Sequence, residues 1–382
     1  MTRHSLYNAV AISAMLLASC ASSESIAQGA DSPTEIDLEN LGSLPVTENK
    51  DTELPYKILG MPDEIDGTSV LLNWPNSGVA VEFEGSQLLA TIDGNNDTFI
   101  DIQINDVLKT IQLNDGRFTY RLIDAMPGEY NVSLQIRTDR AYLPIRFEGF
   151  VTEDGALTTP PRSELQMLVI GDDVAAGYGV EGEDQFCDYT RETQNANLSF
   201  ANVSAQNLGA DVAVIARSGR GLAVNWNNDP SANMTALYRS AMESDASNAL
   251  GNMDIVVVQL GGIDIAQSDP GPDFYEKYAG FLDEIRQDHP YAEIVAAWGP
   301  MGSGERYQEA KTAITELVAE RATQGDQQVS FIEFTNTEFG QLYGCNWHPS
   351  IDTQRFMASE LTRHLAARMS LDLDVETLLL GG

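Results

Sequence analysis

The residues of this chain that could do chemistry stand at the ends of short apolar runs. The clearest stretch is Met167 to Gly179, Met-Leu-Val-Ile-Gly-Asp-Asp-Val-Ala-Ala-Gly-Tyr-Gly. Met167 to Ile170 suits a strand buried on both faces. Gly171 breaks it, and small residues follow, as a tight strand-to-helix turn requires. Such a turn pushes Asp172 or Asp173 out at the sheet's carboxyl edge, where open α/β sheets place their chemistry. A carboxylate there is a sound nucleophile toward a saturated or glycosidic carbon, or a base for water. Against an acetyl ester it would form a mixed anhydride while expelling a poor alkoxide, which is unfavourable. Three later segments follow strand candidates in the same way: Arg217-Ser218-Gly219-Arg220-Gly221, Leu260-Gly261-Gly262-Ile263-Asp264 and Gly344-Cys345-Asn346-Trp347-His348-Pro349-Ser350. Nothing in the context of Ser218 supplies a base to activate its hydroxyl. Asp172 and Asp264 are read as structural, bonding to loop amides.

The elements that must position these residues follow from periodicity. From about Tyr56 to Glu153 apolar and polar residues alternate, as in Val79, Val81 and Phe83, Ile100 to Ile104, and Val132 to Ile136. Turn chemistry at Asp93 to Asn96, Asn114 to Gly116 and Pro127-Gly128 separates the runs. That pattern predicts an antiparallel β-sandwich over 54–160. Thr158 to Arg162 forms a stiff connection. Beyond it, over 163–372, buried strand candidates alternate with amphipathic helices: Met167–Ile170, Val212–Ile215, Ile255–Leu260, Ile294–Ala297 and Val329–Phe334. The helices are marked by Phe274, Tyr278, Phe281, Leu282 and Ile285, then by Tyr307, Ala310, Ile314, Leu317 and Val318. A last helix is expected from Ile351 to Met369. Alternation of this kind predicts a parallel, doubly wound sheet, so the fold class is α/β behind a β-sandwich.

Composition narrows the partners. The 382 residues carry 57 acidic and 22 basic side chains, for a net charge of −35. Nucleic acid is excluded, because phosphate binding needs a basic face. The acidity reads as a solubilising, salt-tolerant surface. Residues 1–20 read as a signal peptide: Arg3, the apolar run Ala9 to Leu17, then Leu17-Ala18-Ser19-Cys20, which resembles a bacterial lipoprotein cleavage box. Cys20 is then the acylated first residue of an exported, lipid-anchored envelope protein. Residues 21–53 are acidic and rich in Ser, Thr and Pro, and read as a disordered tether. Cys187 and Cys345 remain as an even pair in an oxidising compartment, and a disulfide between them is expected.

The four segments together resemble the signature blocks of the SGNH (GDSL) hydrolases. The detail is similar to carbohydrate esterase family 2, which joins a jelly-roll sandwich to such a domain and removes acetyl groups from polysaccharides such as xylan. Its segment before the histidine reads Gly-Cys-Asp-Trp-His-Pro, and Gly177 to Gly182, Trp298 to Met301 and Arg137-Thr138 also look alike. The resemblance runs from about Tyr56 to Met369. It implies a serine nucleophile where this chain has Asp173, and His348 as general base. It implies oxyanion donors at Gly219 and at an asparagine that is Ile263 here, and an orienting acid where Asn346 stands. A backbone carbonyl could hold the imidazole in its place. No cofactor or metal is expected. Trp226, Trp298 and Trp347 are candidates to line a groove for acetylated polysaccharide or oligosaccharide, whereas Trp74 reads as a core or edge aromatic. A serine mechanism needs an uncharged hydroxyl and donors facing the developing oxyanion. Two like charges about 4 Å apart repel by roughly 4 kcal/mol at an effective dielectric of 20. Losing one oxyanion donor costs roughly 3–4 kcal/mol. The expectation is a carbohydrate-binding protein that has lost ester hydrolysis. The alternative is a hydrolase in which Asp173 and His348 activate water.

Overall fold

The computed structural model describes residues 39–40, 54–139, 144–267, 269, 271–335 and 342–373. The expected signal peptide with Cys20, and all of the expected tether save residues 39–40, lie outside the described residues. The first part of the chain is antiparallel: β1 (Glu39–Asn40), β2 (Lys57–Leu59), β3 (Pro62–Asp66), β4 (Ser69–Leu72), β5 (Gly78–Gly94), β6 (Phe99–Ile104), β7 (Val107–Gln112), β8 (Gly116–Ile136), β9 (Ile145–Val151) and β10 (Ala156–Thr158). Their main path runs β3-β4-β9-β5-β8-β6-β7.

One feature departs from the expected pattern of short strands. β5 and β8 are 17 and 21 residues long and pair along most of their length, so the sheet is continuous and folds over one core. The turn expected at Pro127-Gly128 lies inside β8. There the pairing jumps from Gly85↔Gly128 to Gln87↔Asp124. This irregularity leaves Pro127 out of the ladder, which tolerates its missing N–H. Val79, Val81 and Phe83 of β5, with Val132 and Leu134 of β8, face the core.

The second part has five parallel strands in the order β12-β11-β13-β14-β15: β11 (Leu165–Gly171), β12 (Ala210–Ala216), β13 (Ile255–Gln259), β14 (Glu293–Trp298) and β15 (Val329–Glu333). β13 and β14 are buried at every position, as a sheet covered on both faces demands. The connecting helices are α1 (Phe200–Leu208), α2 (Met234–Met242), α3 (Gly262–Gln267), α4 (Gly271–Asp288) and α5 (Glu305–Thr323), with α6 (Ile351–Met369) last. The stripe from Phe274 to Ile285 is buried in one core, and α6 packs Met357, Leu361 and Leu365 into the core on the other face. The fold is therefore an antiparallel sheet domain followed by a doubly wound parallel sheet, as expected.

The two parts share contacts. Met61 and Trp74 of the first sit in the same core as α2 and α4. Lys57 pairs with Asp211 at 2.7 Å, Arg137 pairs with Glu181, and Asn76 Nδ2 donates to Asn197 Oδ1 and Asn202 Oδ1, each at 3.0 Å.

Candidate active site

All four segments come together at the carboxyl ends of the parallel strands, around a cleft of about 720 Å³. Asp173 stands just past the end of β11, on the turn that Gly171 opens. Its Oδ1 accepts the Gly219 N–H at 3.1 Å and lies 3.9 Å from His348 Nε2. His348 Nδ1 is 3.0 Å from the Asn346 carbonyl oxygen. A carbonyl only accepts, so Nδ1 carries the proton and Nε2 is the nitrogen turned to Asp173. The backbone of Asn346 thus orients the imidazole, while its side-chain amide donates to the Tyr178 hydroxyl at 3.3 Å. The orienting role comes from the main chain, so an amide in place of a carboxylate leaves the histidine held.

Ile263 lies in the first turn of α3, lines the cleft and brings no donor. The second segment is fixed from below. Asp264 accepts N–H bonds from Leu222 at 2.9 Å and from Ala223 and Val224 at 2.8 Å. Asp172 accepts the Val174 N–H at 3.2 Å. Both are thus structural, as their positions suggested. Ser218 Oγ has no hydrogen-bond partner among the described residues, so no base activates it.

Electrostatics here are set by burial. It pushes the carboxyl of Asp173 above the usual carboxylate range, with nearby Asp139 adding to the rise, against the opposing pull of His348 and the Gly219 N–H. Asp172, 3% exposed, is pushed further up by burial and by its neighbour Asp173. Asp264 is also raised by burial, even with its three amide donors.

The aromatic candidates separate. Trp226 and Trp347 are each 52% exposed, whereas Trp298 is 2% exposed and packs against Tyr307 at 5.3 Å. Trp298 is therefore floor and core rather than a sugar platform; as the last residue of the buried strand β14, it turns its ring inward. Trp74 is buried, with the Arg217 guanidinium over its ring at 5.3 Å. Cys187 and Cys345 form a disulfide. Gly182 allows it, because a Cβ there would meet Cys345 Sγ at 2.5 Å.

Three residues escaped the sequence reading. Asp139, from the antiparallel domain, accepts the Ser218 N–H through Oδ2 and a Gln194 N–H at 2.8 Å through Oδ1, which seats the second segment. Its signal was its place directly after Arg137-Thr138. Tyr178 stacks on Tyr189 at 4.0 Å and leans on His348 at 4.3 Å. Its signal was the Gly-Tyr-Gly turn. Phe186, 75% exposed, meets Trp347 edge-on at 5.7 Å and was marked only by the adjacent Cys187.

A parallel sheet with these loops, behind an antiparallel domain, defines a GDSL-type acylhydrolase fold. Residues 169–356 match the GDSL-like Lipase/Acylhydrolase family, and residues 60–161 match the Carbohydrate esterase 2 N-terminal family. By these two halves the chain belongs to carbohydrate esterase family 2. It is 30% identical over 305 residues to the Cellulase/esterase CelE of Acetivibrio thermocellus, covering 78% of this chain and 37% of that protein. The chain thus spans well under half of that relative's length. It is 24% identical over 321 residues to an Acetylxylan esterase / glucomannan deacetylase of Cellvibrio japonicus, covering 79% of this chain and 87% of that protein. Among solved structures, a family two carbohydrate esterase from Clostridium thermocellum in complex with cellohexaose superposes with a TM-score of 0.76 and 27% identity. It covers 82% of this chain and 99% of the other.

Proposed function

We propose that this protein is an exported, lipid-anchored glycan-binding relative of the acetyl-polysaccharide esterases that no longer hydrolyses esters. One observation carries the reading: Asp173 Oδ1 holds the Gly219 N–H at 3.1 Å. A carboxylate thus occupies the nucleophile's place and the donor that an oxyanion would need. With Ile263 in place of an amide, the second donor is missing as well, and a tetrahedral intermediate would form beside a negative charge without compensation. His348 remains oriented, so base catalysis is not what has been lost. The exposed ring of Trp226, which lines the cleft, and those of Trp347, next to His348, and of Phe186 against it support a stacking surface for sugar rings. The cellohexaose-bound relative supports a glycan as occupant.

The deciding experiment is Asp173→Ser, assayed on a chromogenic acetate ester beside the native protein, with calorimetry on xylan and glucomannan oligosaccharides. Binding without turnover in the native protein, and ester cleavage gained only on substitution, is the expected result. Native hydrolysis that disappears in His348→Ala would instead establish the water-activating alternative.

A further inference from the structure

An esterase cleft offers hydrogen-bond donors, because its target is a carbonyl oxygen. In this protein the backbone N–H groups from Ser218 to Val224, Gly221 apart, are consumed internally. Ser218 N–H goes to Asp139, Gly219 N–H to Asp173, Arg220 N–H to the Arg217 carbonyl, and those of Leu222, Ala223 and Val224 to Asp264. Ile263 adds none. The Ser218 hydroxyl and Trp298 Nε1–H have no partner among the described residues, but both atoms are buried. What the reaction centre presents in their place is an acceptor, the carboxylate of Asp173, with its side chain still 16% exposed to the cleft.

The hydrogen-bond polarity of the centre is therefore reversed. A free sugar hydroxyl carries the donor that a carboxylate wants, and a charge-assisted bond of this kind is among the stronger ones available. An O-acetyl group at the same position removes that donor and brings only acceptors, setting a carbonyl oxygen against a carboxylate. Resting on the glycan-binding reading, we infer that the cleft selects the deacetylated form of its polysaccharide and discriminates against the acetylated one. The protein would then read the product of deacetylation, and its occupancy would depend on esterase action elsewhere on the same chain.

The test is titration calorimetry at pH 8 with the intact native protein and matched samples. Acetylated xylo- and glucomanno-oligosaccharides are compared with the same preparations after alkaline deacetylation. The acetylated form is expected to bind at least about tenfold more weakly, as the loss of one hydrogen bond to a charged group implies. Asp173→Asn, whose amide can donate, is expected to shrink that ratio below about threefold; a ratio unchanged in this variant would overturn the role given to Asp173. Equal affinities, or tighter binding of the acetylated sample, in the native protein would overturn the selectivity while leaving glycan binding intact. Binding of neither form would overturn both. The native comparison decides the matter even where the variant does not fold.

Discussion

A single carboxylate at position 173 does three things at once. On the function proposed above it takes the nucleophile's place; it accepts the Gly219 N–H, and it gives His348 a carboxyl neighbour where a serine esterase has a hydroxyl. Its neighbour Asp172, and Asp264 beside that, are both buried. A carboxyl raised by burial holds its proton longer in the folded chain than in the unfolded one. Between the unfolded value near 4 and the raised value the folded state binds more protons, so stability falls as pH rises through that window. Asp172→Asn removes the titration. Its stability relative to the native protein is expected to improve from pH 5 to pH 8, read as urea midpoints; a difference constant with pH would contradict the assignment. Asp264→Ala, which leaves three loop amides without an acceptor, is expected to cost about 3 kcal/mol of unfolding free energy in urea. At this scale the sequence was informative about identity and poor about partners. Asp173, Ile263 and His348 were legible because they sit in ordered blocks. A backbone carbonyl was expected as a possible hold for the imidazole, but not which one, because main-chain geometry leaves no mark in residue types. Asp139 was missed altogether, because its partners lie 55 and 79 residues further along the chain.

The parallel strands and long helices were readable from apolar periodicity, since a strand covered on both faces or a helix with one buried stripe leaves a strong pattern. Pro127-Gly128 misled for a physical reason. Turn residues and an irregularity that lets a long strand bend draw on the same chemistry, and only pairing with Gly85 tells them apart. Among the connections, the one between Cys187 and Cys345 should matter most. It joins the loop after Asp173 to the loop bearing Trp347 and His348 across a separation of 158 residues. Loop-closure entropy assigns such a link about 5 kcal/mol. The Cys187→Ser, Cys345→Ser double variant is expected to lose up to that amount in denaturant unfolding and to weaken glycan binding. Full stability in the double variant would show the link to be dispensable.

Across the whole molecule, a charge of −35 sets the response to solution conditions. Self-repulsion on this scale is relieved by screening. The melting temperature is expected to rise between about 0.05 M and 0.5 M sodium chloride, where the Debye length shortens to a few ångströms; a melting temperature that falls would refute that account. Acid acts differently. His289 and His364 are held neutral, their protonation pushed down by burial. His364 Nε2 lies 2.9 Å from Ser330 Oγ, which in turn donates to Glu293, so the ring keeps its proton on Nε2. The unfolded chain protonates both rings first, so stability is lost as pH falls below about 6.5. His364→Gln is expected to flatten that part of the profile.

Asp139 gives the two-part architecture a meaning beyond adjacency. The carboxylate that seats the loop at Ser218 is supplied by the neighbouring antiparallel domain. Anyone excising the α/β portion as a minimal unit would keep every signature word of the family and lose the peg on which one of them hangs. Recombining halves between relatives would meet the same obstacle, because the seam between the domains runs through the reaction centre.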